Sequence, residues 1–147
     1  MKFEPLQQFI CDSCGEIIKS VDEGWLEWLK SANGEKYAFR IVHHRLYSPD
    51  KDSHNACYYL EEQKASHMHL NYYAGPDGLV ELLTFMERPL IDKNELVEII
   101  YRLHIPHYEE ARMYWDKALN DNFFAGASPS LPYKQDNLLE LIETYGD

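Results

Sequence analysis

The chain is expected to fold as an α+β protein, and three features of its 147 residues predict this. Up to about residue 75, apolar side chains recur with a period near two around the turn signal Asn33-Gly34; from Pro76 onward the period lengthens to about 3.6. Near the start, Cys11-Asp12-Ser13-Cys14-Gly15 sets two thiols three positions apart, half of a tetrahedral metal site. Together they predict a small antiparallel sheet with a zinc knuckle over 1–75, packed against a four-helix half over 76–147 in one compact domain.

Composition supports a real core and narrows the function classes. With 45% hydrophobic and 14% aromatic residues, 11 of them Tyr, the chain lies far from the disordered regime. The formal net charge is −11 and no segment is basic, which disfavours direct binding to nucleic acid or to an anionic membrane surface. Met1-Lys2-Phe3-Glu4-Pro5 leads to Cys11 without the apolar run of a signal peptide, and no 18-residue apolar stretch follows, so a cytoplasmic location is expected. An odd set of three cysteines in a reducing compartment points to metal ligation or redox chemistry rather than a disulfide framework.

In the first half, Glu16-Ile17-Ile18 reads as a strand start. Asn33-Gly34 suits a two-residue type I′ turn, which needs positive φ at both centres. That turn places Leu26 opposite Ile41, Trp28 opposite Phe39 and Glu27 opposite Arg40, with the apolar pairs on one face and an ion pair on the other. His43 falls on the apolar face opposite Gly24, and His44 on the other face. Tyr47 to Ala56 reads as a loop, Cys57 to Leu60 as a short strand, and Met68 to Tyr73 as another.

In the second half, Asp77 or Gly78 is expected to cap a helix carrying Leu79, Leu82, Leu83 and Met86 on one face and ending near Pro89. Asp92-Lys93-Asn94-Glu95 resembles a capping box before Leu96, Ile99, Ile100 and Leu103. Pro106 breaks that helix. The next is expected from about His107 to Leu119, with Ala111, Tyr114, Trp115 and Ala118 inward and Glu109, Glu110, Asp116 and Lys117 outward. A last helix from about Lys134 carries Leu138, Leu141, Ile142 and Tyr145.

The thiol pair chooses among three chemistries. Cys11 and Cys14 can share one ion while turn amides bond their sulfurs, and Gly15 suits the turn. Over residues 11–15 the chain resembles the knuckle of zinc-ribbon and rubredoxin-like folds, whose second Cys-x-x-Cys is absent here. Cys57 is then the third ligand of a structural Zn2+. His43 is nominated as the fourth by the hairpin register, ahead of His44 and His54. The plainer alternative is three reduced thiols in the core; a redox pair would prefer a strand-to-helix junction.

Other polar constellations have bland explanations. His67-x-His69 shares a strand face, His104-x-x-His107 flanks a proline, and the adjacent Glu109 and Glu110 diverge around a helix and suggest a solvated face. Gly75-Pro76-Asp77-Gly78 reads as a turn and cap, and the aromatic series from Tyr58 to Trp115 mostly as core with some interface. No serine-nucleophile motif or dinucleotide fingerprint appears, and no catalytic residue is nominated.

Tyr101-Arg-Leu-His-Ile105 followed by Pro106-His-Tyr-Glu-Glu-Ala-Arg112, together with the knuckle, resembles small bacterial and phage proteins to which no reaction is assigned. The resemblance implies an accessory module and no activity. The leading expectation is a zinc-stabilised, non-catalytic protein whose acidic surface meets a protein partner. Two alternatives stand beside it: an acidic transcription-related or DNA-mimicking regulator, and a metal-dependent hydrolase with an open coordination position.

Overall fold

The computed structural model describes residues 3–49, 56–59 and 65–146, and its architecture is α+β. Strand β1 (Phe9–Ile10) pairs antiparallel with β2 (Ile17–Ile18) to form the knuckle hairpin. Strands β3 (Gly24–Lys30), β4 (Lys36–His43) and β5 (Ala65–His69) form a second antiparallel sheet with β3 in the centre. Helices α1 (Gly75–Phe85), α2 (Lys93–His104), α3 (Tyr108–Ala111), α4 (Trp115–Asn120) and α5 (Gln135–Tyr145) follow.

The β3–β4 register places Leu26 opposite Ile41, Glu27 opposite Arg40 and Gly24 opposite His43, as the hairpin argument requires. The turn that produces it differs from the expected type. Ser31 pairs with Glu35 through a 2.8 Å backbone bond, leaving Ala32, Asn33 and Gly34 as a three-residue loop. Only Gly34, at φ +80°, takes the left-handed conformation that such loops demand. This loop offsets the ladder by one position, so Leu29 faces Tyr37, and an irregularity between Glu27 and Leu29 restores it. Ala38 absorbs the extra residue at φ +56°, a β-bulge that takes Trp28 and Phe39 out of the regular ladder while their rings still meet at 5.8 Å.

The outer edge of β4 is capped along its length, which removes a template for unwanted strand pairing. Lys36 exchanges backbone bonds with Pro89 and Ile91. Glu95, in the first turn of α2, accepts from the Ala38 and Phe39 amides at 3.4 and 3.2 Å. The capping box is therefore half formed: Asp92 accepts from the Asn94 amide at 2.9 Å, while Glu95 serves the bulge. At Ile41 the edge is met by Asp12, whose amide donates to the Ile41 carbonyl and whose carboxylate accepts from the Ile41 amide.

Several boundaries also differ from expectation. Cys57–Tyr59 forms a bend rather than a strand, and Leu60 lies outside the described residues. The third strand starts earlier than expected, at Ala65, and Leu70–Tyr73 turns into a 3-10 helix. Helix α1 starts at Gly75 with Ala74 as its cap, and buries Leu82 and Phe85 while Leu83 faces out. The single helix expected over 107–119 is split by a 3-10 turn at Arg112–Tyr114.

Two clusters make the interior. One joins both sheets to α1 and α2 through Phe9, Ile18, Leu26, Ile41, Leu82 and Leu96, all fully buried. The other gathers Tyr108, Ala111, Ala118, Leu138 and Leu141 among α3, α4 and α5, with stacked rings such as Tyr101 on Tyr133 around it. No helix among the described residues is long and apolar enough to cross a membrane.

Candidate metal centre

The knuckle turn is built by its backbone. Cys11 donates its amide to the Glu16 carbonyl at 2.9 Å, and Gly15 donates to the Cys11 carbonyl at 3.0 Å. Gly15 takes φ +79°, which glycine adopts without strain. The turn presents the Cys11 and Cys14 side chains together, Cys11 buried and Cys14 exposed. The bonds between Asp12 and Ile41 dock it on β4 two residues before His43.

Cys57 arrives without a strand to carry it. The Glu27–Arg40 pair, expected to lie on an outward face, supplies the anchor: Arg40 Nη2 donates to the Cys57 carbonyl at 3.0 Å. Glu27 Oε1 accepts from the Tyr59 amide at 3.0 Å, and the Arg40 guanidinium stacks on the Tyr59 ring at 3.7 Å. The bend over Cys57 to Tyr59 therefore covers this face and buries Glu27, raising its pKa chiefly through desolvation.

Cys11, Cys14, His43 and Cys57 meet here, with all four donor atoms within 4.8 Å of one another. His43 Nδ1 lies 3.5 Å from Cys14 Sγ and 3.7 Å from Cys57 Sγ. A tetrahedral ion with bonds of 2.0–2.3 Å gives N-to-S edges of about 3.6 Å, so these separations fit one shared ion. The opposite ring nitrogen, Nε2, is 3.2 Å from the Ile17 carbonyl. A carbonyl only accepts, so Nε2 carries the proton and Nδ1 offers its lone pair to the sulfurs.

The sulfurs are partly supported, and those of Cys11 and Cys57 belong to buried residues. The Glu16 amide bonds Cys14, and the Ser48 hydroxyl bonds Cys57. Burial nevertheless pushes the Cys57 thiol up to about 12, and desolvation also raises Cys14, with the Cys11 charge adding to both. Cys14 and Cys57 so disposed hold their protons until a cation replaces them.

The other nominated histidines sit elsewhere. His44 turns to the opposite face, where its Nδ1 accepts from the Leu46 amide at 3.1 Å and its ring packs 4.7 Å from Trp25. His54 lies outside the described residues. His67 stacks on Trp25 at 3.9 Å and His69 on His44 at 4.9 Å, so these rings form an aromatic surface. His104 donates from Nε2 to the Tyr73 carbonyl at 2.7 Å, and His107 takes φ +72° at the helix break.

One group of polar residues escaped the sequence reading. Glu109, expected on a solvated face, is 5% exposed, and Arg102 is 2% exposed. Arg102 grips Glu109 through Nε and Nη2 at 2.7 and 2.9 Å and reaches Asp12 through Nη1 at 2.7 Å. The same two side chains satisfy Ile10, whose amide donates to Glu109 and whose carbonyl accepts from Arg102. Burial works against the charge of Arg102, but the Glu109 and Asp12 carboxylates outweigh it and keep its pKa raised. The network thus clamps α2, α3 and the knuckle together. Its only trace in the sequence is an arginine between the core positions Ile99 and Leu103.

Three converging thiols and an oriented imidazole define a Cys3His site able to hold a metal. Neither family models, nor curated proteins, nor solved structures match the chain.

Proposed function

We propose that the chain is a zinc-stabilised accessory protein whose ion is structural and whose task is contact with a protein partner rather than catalysis. The observation that carries this reading is the placement of His43 Nδ1, 3.5 and 3.7 Å from two sulfurs while Nε2 is tied to Ile17. Three thiolates and an imidazole form a soft donor set that favours Zn2+ over hard cations. Four protein donors also fill a tetrahedral ion, leaving no position for a reactive water and so disfavouring a hydrolase.

The partner half of the proposal rests on charge. A net −11 repels phosphate backbones and suits a basic protein surface. A three-thiol site is kept reduced in a cytoplasm-like compartment, and the proposal extends to that location.

Elemental analysis of the purified full-length chain is the direct test, with one zinc per chain expected. Chelation should expose Cys11, Cys14 and Cys57 to thiol reagents and lower the melting temperature. A metal-free protein that is fully folded with three freely reactive thiols would overturn the ion. Salt-sensitive retention on duplex DNA would overturn the choice of partner.

A further inference from the structure

A second cavity, of about 210 Å³, opens between the sheet, the Leu70–Tyr73 turn and α1, and none of the four metal-site residues lines it. Its walls are aromatic: Trp28, Tyr72, Tyr73 and Phe85. Trp28 meets Phe85 edge-on at 5.0 Å, and Tyr72 meets Tyr73 edge-on at 5.1 Å. The Trp28 indole Nε1 is buried and has no hydrogen-bond partner among the described residues.

Two cations also line the cavity, Lys36 and Arg88. Elsewhere the arginines that line a cleft are neutralised: Arg40 by Glu27, Arg102 by Glu109 and Asp12, Arg112 by Glu98. Lys36 and Arg88 form no ion pair among the described residues, although the chain carries 25 acidic side chains against 14 basic ones. The one carboxylate at the cavity, Glu81, accepts from the Tyr72 hydroxyl at 2.8 Å. Lys36 Nζ sits 5.7 Å from the centre of the Phe85 ring, at the edge of the aromatic wall. Burial, with the nearby charges of Arg88 and Lys30, lowers its pKa, a penalty that a bound anion would relieve.

We propose that this cavity binds a small aromatic anion, with its ring among Trp28, Tyr73 and Phe85 and its carboxylate or phosphate paired with Lys36 and Arg88. The volume sets the size class. About 210 Å³ lies below the volume of a drug-sized ligand site, which suits a group of one ring or two fused rings. Aromatic walls favour a flat partner, and two cations against the one Glu81 carboxylate favour an anionic one. The site is independent of the metal reading.

Full-length, metal-loaded protein titrated with benzoate and with phenyl phosphate tests the proposal, read by the indole N–H resonance of Trp28 in a nitrogen-15 spectrum. That signal is assigned by its loss in Trp28→Phe. A saturable shift is expected with at least one of the two anions, and the better of them identifies the head group. Benzamide and acetate, lacking the charge or the ring, should bind at least about tenfold more weakly. The double variant Lys36→Gln/Arg88→Gln should weaken the anion by about tenfold or more and leave the Trp25 indole resonance in place. No saturation by either aromatic anion up to about 10 mM, equal binding of benzamide, or an unaffected double variant would each overturn the site.

Discussion

His43 and Ile17 share a 3.2 Å contact from ring Nε2 to backbone carbonyl, and this one bond decides which nitrogen of the imidazole faces Cys14 and Cys57. It gives a histidine on an apolar strand face a fixed tautomer, with Nδ1 free to serve as a metal donor. It also joins the second strand of the knuckle hairpin to the end of β4, so the donor cluster and the sheet order each other.

His43→Ala should leave three donors and an open position, lowering zinc affinity by more than about 100-fold. Competition with a chromophoric chelator measures this. In the wild-type holoprotein, nitrogen-15 spectra should show His43 protonated at Nε2 and metal-shifted at Nδ1. A ring protonated at Nδ1 would contradict the arrangement.

Metal uptake should release protons, because Cys14 and Cys57 hold theirs at neutral pH. At least two protons should leave per ion in weakly buffered solution, so apparent affinity should fall about a hundredfold for each unit of acidification near neutrality. The metal-free protein should respond in the opposite direction. Cys57 titrates near 12 when folded against 9.0 for an ordinary thiol. Its folded pKa is raised, so the folded state holds the proton more tightly and stability is lost as pH climbs from about 9 towards 12. Denaturant midpoints of apo and holo protein across pH 7 to 11 distinguish the two slopes.

Glu109→Gln should cost about 1.5–3 kcal/mol, since it strips one of two charge partners, leaving Asp12, from a guanidinium that is 2% exposed. Replacing both residues with methionine should recover part of that loss. Urea unfolding of Arg102→Met, Glu109→Met and the double variant completes the cycle. A loss below about 1 kcal/mol for Glu109→Gln would mean that the clamp contributes little.

Ala38→Gly should raise stability by about 0.5–1 kcal/mol, because glycine accepts the φ of +56° that alanine adopts under strain. Ala38→Val should lower it by more than about 1 kcal/mol. Thermal unfolding with unchanged zinc content checks both.

Aromatic and aliphatic spacing alone determined the division into a sheet half and a helical half, the apolar pairing of Leu26 with Ile41, and the break at Pro106. These follow from short-range periodicity and turn chemistry, which act within a few residues. The thiol spacing likewise marked Cys11 and Cys14, and the register carried His43 to them, because strand alternation fixes which face a side chain takes. Tertiary structure decided the rest. The bulge at Ala38 exists to reconcile a three-residue turn with the ladder beyond it, and Glu95 settles on it from a distant helix. Cys57 is positioned by Glu27 and Arg40, whose pairing reads as a surface feature until the segment over Cys57 to Tyr59 covers it. Glu109 looks solvated on its own helix and becomes buried only when Arg102 and Asp12 converge on it from two other elements. Burial of charge depends on which elements meet, and that is a property of long-range packing that local sequence pattern does not encode.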